Sequence, residues 1–263
     1  MICILFESQL SEDSTLKTEE STYKIPRNQL SFPSWSLWII VIGIIIYNPI
    51  ALILGSYVGH GVGIIARYLN TYLTIRLDLY YVIFIAAILG SILPVVLFLL
   101  VAQLLLSKSG YSWKNVWLSY DLNFINFIKS FLVGISLSLF AFGVISTFSS
   151  KPNIIVDLGI GYWSNIIFSI INYVLVAVIF EEIFYRGIFY QALKKRFSIS
   201  ISVLISAFFF TVSHVYYNSN IINLLIIFIF GISAAVIFER TQSLNGSLVL
   251  HFTYNATLSY MWL

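Results

Sequence analysis

Long apolar runs separated by short polar stretches fill most of this chain, and only the first 35 residues break the pattern. Residues 1–35 carry Glu7, Glu12, Asp13, Lys17, Glu19, Glu20, Lys24 and Arg27 and read as a polar tail outside any apolar core. Seven apolar runs follow, at roughly 37–57, 79–106, 127–149, 164–193, 199–216, 221–238 and 244–261. Each lies near the ~20 residues that a helix needs to cross a hydrocarbon layer. The runs predict an all-α polytopic transmembrane bundle with seven clear spans. Pro49 is expected to kink the first. Residues 58–78, Gly-rich and carrying Arg67, Arg76 and Asp78, read as a loop or a surface-lying segment. An eighth membrane segment within 58–78 or 109–126 stays open.

Composition strengthens this reading. The chain has 263 residues, 59% hydrophobic and 10% charged, with mean hydropathy +0.93. Soluble domains are about a quarter charged. Residues 36–263 therefore form one membrane-embedded helical domain, with a cytoplasmic N-terminal tail at 1–35. The net charge of +3 reports topology more than a partner, and nucleic acid is not expected. Cys3 is the only cysteine, which excludes a disulfide framework and a cysteine metal site. The N-terminal "MICILF" is too short for a signal-peptide apolar region, so no cleaved leader is expected.

Charge sets the orientation. With the N-terminus inside, the inner segments hold Lys17, Lys24, Arg27, Lys108, Lys114, Lys129, Lys194, Lys195, Arg196 and Arg240. The outer ones hold Arg67, Arg76 and Lys151. The excess of basic residues belongs on the cytoplasmic side. The Ile-, Asn- and Tyr-rich composition points to a bacterial plasma membrane.

One run breaks its own rule. "IFEEIFYRGIFYQALKKR", residues 179–196, places Glu181, Glu182 and Arg186 inside an apolar span. A charge at the bilayer centre costs about 2.5–3.5 kcal/mol on insertion scales, so such residues face the protein interior and mark function. Glu182 and Arg186, four residues apart, share one helix face and can pair. Glu181 is rotated about 100° away and needs a partner from another helix. His214 is the best placed. Counted from the short connection at 194–199, Glu181 and His214 each lie 15 residues in, or ~22 Å along antiparallel helices. His251 lies in the last run, shallower at ~12–15 Å, with Asn255 one turn further. His60 falls in the Gly-rich stretch and reads as solvated.

Three motifs in order carry a family resemblance: "EEIFYR" (181–186) as EExxxR, "FTVSH" (210–214) as FxxxH and "HFTYN" (251–255) as HxxxN. Together they resemble the CAAX protease and bacteriocin-processing family of intramembrane proteases, also called Abi, over about 160–260. "RTQSLNGSLVLH" (240–251) is similar to that family's approach to its last motif, with Gln242 in place of a usual glycine and Asn245–Gly246 in place of a frequent Trp-Pro. The resemblance implies an endopeptidase in which Glu181 activates water, His214 helps to hold that water, and His251 with Asn255 stabilises the oxyanion. Glu182 and Arg186 would shape the site. The substrate implied is a peptide or protein, lipidated in the CAAX case, in CAAX-type or bacteriocin or leader-peptide processing, or in self-immunity. Amide hydrolysis does need a base, an activated water and donors for the developing charge.

Plainer readings stand beside this one. Glu182 and Arg186 can be a purely structural pair, Glu181 a structural acid, His214 a core histidine, and His251 with Asn255 interhelical glue worth ~0.6 kcal/mol. Two histidines and a carboxylate are also a zinc set, with Glu181, His214 and His251 as ligands. The absence of HExxH, and Asn255 beside His251, favour no metal and no other cofactor. The expected function is an intramembrane endopeptidase opening to the cytoplasm. The alternatives are a proton-coupled transporter, or a non-catalytic immunity protein on the same fold.

Overall fold

A computed structural model describes residues 53, 57–58, 60–69, 71–72, 79–108, 112–117, 123–148, 166–167, 170–215 and 220–262. The predicted tail and first span fall outside the described residues. What is described is almost entirely helical, an all-α bundle as the apolar runs predict. We number the helices α1 (Leu79–Lys108), α2 (Trp113–Trp117), α3 (Phe124–Phe148), α4 (170–194), α5 (Ile199–His214), α6 (Ile221–Thr241) and α7 (Leu244–Trp262). Residues 60–69 are helical too, with His60 among the exposed ones, so of the two readings offered for this stretch the loop does not hold. By length and composition, segments within α1 (Phe84–Lys108), α3 and α6 are long and apolar enough to cross a membrane. The 16-residue α5 is apolar but short.

The helices pack through the residues that face inward. α3 turns a seam of small side chains, Ser130, Gly134, Ser138 and Ala141, onto α7. A Cβ on Gly134 would stand 2.7 Å from the Leu250 carbonyl oxygen, so only glycine lets the two backbones approach this closely. Small residues of this kind drive helix association where apolar burial gives no gain over lipid. α5 and α6 form an antiparallel hairpin, and α6 folds back on α7 through Gln242. Gln242 has φ 48° and ψ 33°, the left-handed conformation that ends many helices and that glycine adopts at least cost. It is the position where the resembling family has glycine.

α4 differs from a plain helix. Its stretches Ile170–Val176 and Ile183–Tyr190 are π-helical, flanking the α-helical Ala177–Glu182. Widened turns are rare and are frequent at functional sites. A local cause is visible at its end. The side chain of Gln191 donates to the Gly187 carbonyl at 2.6 Å, the acceptor that the Gln191 backbone N–H would use in an α-helix. The same amide nitrogen donates to the carbonyls of Asn115 and Val116, at 3.2 and 3.1 Å. This docks α2 against α4, with Val116 packed on Gly187.

Candidate functional site

The three charges of α4 separate into two kinds. Glu182 and Arg186 are fully buried and joined, Nη1 to Oε1, at 3.0 Å. The guanidinium also donates from Nη2 to the Gly231 carbonyl of α6 at 3.4 Å and lies 4.6 Å from the centre of the Phe210 ring of α5. One arginine thus ties α4 to both arms of the hairpin. Desolvated guanidinium over an aromatic face is a favourable contact of ~2 kcal/mol.

Glu181 points the other way, towards two histidines. His214 Nε2 stands 3.9 Å from Glu181 Oε1, and His251 Nε2 stands 3.8 Å from Glu181 Oε2. The equal-depth argument for Glu181 and His214 is met. His251, read as shallower, reaches the same carboxylate. Both distances exceed a direct hydrogen bond.

The far nitrogen of each ring fixes how it is used. His214 Nδ1 lies 2.7 Å from the Phe210 carbonyl oxygen, which can only accept, so Nδ1 carries a proton. In the neutral ring Nε2 then presents its lone pair to Glu181. His251 Nδ1 lies 2.7 Å from Glu182 Oε1. Glu182 accepts from Arg186 as well, so it acts as a carboxylate and Nδ1 donates. The Phe230 ring packs against His251 at a tilt of 58°, ring centres 4.6 Å apart, and supports its orientation. Asn255 sits one turn along α7 from His251 and is half-buried.

The bond between His251 and Glu182 is the part that sequence reasoning missed. Helical spacing pairs Glu182 with Arg186, but a third member, 69 residues away, completes the group. No local pattern carries that information. Among the described residues, no group of three His, Cys, Asp or Glu side chains stands ready to hold a metal ion. The donors that converge most nearly are Glu181, His214 and His251.

A multi-pass helical membrane protein with an acid and two histidines gathered inside the bundle is the class that this fold and site define. Residues 163–257 match the family model described as Type II CAAX prenyl endopeptidase Rce1-like. The match covers well under half of the chain but includes all three motifs, and it supports a CAAX-type intramembrane endopeptidase. No curated protein and no solved structure matches the chain.

Proposed function

We propose that the protein is an intramembrane endopeptidase in which Glu181 activates a water held between its carboxylate and His214. The observation that carries this reading is the convergence of both Nε2 atoms on Glu181, at 3.8 and 3.9 Å. Glu181 takes a proton from the water, and the oxygen attacks the scissile carbonyl carbon. The oxyanion that forms needs donors. His251 Nε2 and the Asn255 amide supply them from one face of α7. Because Nδ1 of His251 already donates to Glu182, donation from Nε2 requires the ring to hold both protons, with Glu182 as its counter-charge. Glu181 then returns its proton to the leaving amine as the C–N bond breaks. Arg186 keeps Glu182 in place and does no chemistry.

Water, base and donors complete this cycle without a metal, and we propose none. Were a zinc bound, Glu181, His214 and His251 would be its ligands, and it would supply a polarised water in the same place. Processing of CAAX-type, bacteriocin or leader peptides, or self-immunity, are the roles proposed for the activity. The test is a peptide library presented to purified protein in proteoliposomes, with products read by mass. Cleavage at defined bonds is expected. No cleavage, with pH-driven uptake instead, would establish the transporter alternative.

A further inference from the structure

His214 stands on the weakest part of its helix. It is the last residue of α5, and just beyond it the Val215 N–H turns back to the Val212 carbonyl at 3.2 Å, the tightened bond of a helix end. End turns fray unless they are tied down. Yet the proposed chemistry needs the His214 ring at a fixed distance from Glu181, which belongs to another helix. Misplacing a reacting group by about 1 Å can cost ~100-fold in rate.

A tie runs from α4. Tyr185, four residues beyond Glu181 and 4% exposed, meets α5 at three levels. Its carbonyl accepts from Ser206 Oγ at 3.3 Å, its ring packs edge-on against Phe210 with centres 5.1 Å apart, and its hydroxyl is hydrogen-bonded to Ser213. Ser206, Phe210 and Ser213 are spaced four and three apart, one stripe along α5 that ends beside His214. The first two contacts hold the body of α5. The hydroxyl is the one that reaches the end turn.

The protons of this group fall into one order. Ser213 Oγ donates to the Phe210 carbonyl at 2.7 Å, so its own proton is committed and it accepts from the Tyr185 hydroxyl. Ser213 Oγ also lies 3.3 Å from His214 Nδ1. That nitrogen already donates to the Phe210 carbonyl, so Oγ is a second, weaker acceptor for the same proton. A hydroxyl donates once and accepts twice, and all three places on Ser213 are filled. The Phe210 ring, between Tyr185 and the Arg186 guanidinium, stands 4.6 Å from the His214 ring and backs it.

We propose that Ser213 is a positioning residue: bonded to the Tyr185 hydroxyl, it pins the end turn of α5 to the acid-bearing helix and so fixes the His214 ring against Glu181. This inference rests on the peptidase reading above and deepens it. Ser213 touches no reacting atom and acts through His214.

Four variants test it in proteoliposomes with a reporter peptide selected from the cleaved library: Ser213→Ala, Ser213→Thr, Tyr185→Phe, and Ser213→Ala with Tyr185→Phe. Melting in detergent checks that each is folded. Ser213→Ala and Tyr185→Phe are each expected to lower kcat by roughly 3- to 10-fold, the worth of one hydrogen bond, with KM unchanged. The double variant should be no worse than the poorer single one, because both break the same bond. Ser213→Thr should keep wild-type kcat, since a helical threonine bonds the same backbone carbonyls. A second readout needs no substrate: nitrogen NMR of histidine-labelled protein, with signals assigned through His60→Gln and His214→Gln. The wild type and Ser213→Thr should show one His214 ring state with Nδ1 protonated, and Ser213→Ala and Tyr185→Phe a second state beside it. Wild-type kcat in folded Ser213→Ala, losses that multiply in the double variant, or one unaltered ring state in all variants overturns the proposal and leaves the peptidase standing. The expected ring states with no cleavage by any of the proteins, wild type included, overturn the peptidase reading and leave the pin on His214.

Discussion

Glu181 and Glu182 are neighbours with the same side chain and opposite surroundings. Glu182 is fully buried, and Arg186 and His251 both meet its Oε1 within 3.0 Å. Removing one partner of a buried pair costs about 3–5 kcal/mol, because the other charge stays behind. Glu182→Ala should therefore lower the melting temperature in detergent sharply, and Arg186→Lys should not preserve stability, since an ammonium cannot span Glu182, Gly231 and Phe210 together. Glu181 makes no such closed set. Glu181→Gln should fold with nearly wild-type stability while cleavage falls by about 10²–10⁴, the usual worth of a general base. Equal losses of stability in the Glu181 and Glu182 variants would contradict this division of roles.

At the scale of elements, two close approaches set the frame. A Cβ on Gly187 would stand 2.5 Å from Val116 Cγ1, so Gly187→Ala should push α2 off α4 and destabilise by about 1–3 kcal/mol in thermal melts. Gln242 is the reverse case. A non-glycine residue in the left-handed region costs roughly 1–2 kcal/mol, so Gln242→Gly should leave stability unchanged or raise it by up to about 1 kcal/mol. Cleavage should not change. The long helices α1, α3, α4, α6 and α7 and the shorter α5 were legible in the sequence, because long apolar runs leave few other structures. So was the Glu182–Arg186 pair, which needs only helical spacing. The π-turns of α4 were not legible: the second, Ile183–Tyr190, ends where Gln191 spends its side chain on Gly187, Asn115 and Val116, a contact with a segment about 75 residues earlier. The His251–Glu182 bond was hidden for the same reason. Counting depth along straight helices placed His251 shallower than the acids, yet it reaches both.

For the molecule as a whole, the account separates what holds the bundle from what works in it. Arg186, Glu182 and His251 lock α4, α5, α6 and α7 around one buried point, and Glu239 of α6 accepts from Lys194 and from the Tyr190 hydroxyl of α4. The Lys194–Glu239 pair is partly exposed, so it should contribute less than about 1 kcal/mol: Lys194→Met is expected to shift the melting temperature little. What remains for chemistry is the less deeply buried part of the cluster, Glu181 with His214, backed by His251. The central claim is that Glu181 is the base and that no metal does its work. Its most direct test is cleavage of a peptide library in proteoliposomes by wild type and Glu181→Gln, each with and without a strong chelator. The account predicts loss of cleavage in the Glu181→Gln protein alone, with wild type indifferent to the chelator. Wild-type activity that the chelator removes and zinc restores, or cleavage untouched by Glu181→Gln, would contradict it.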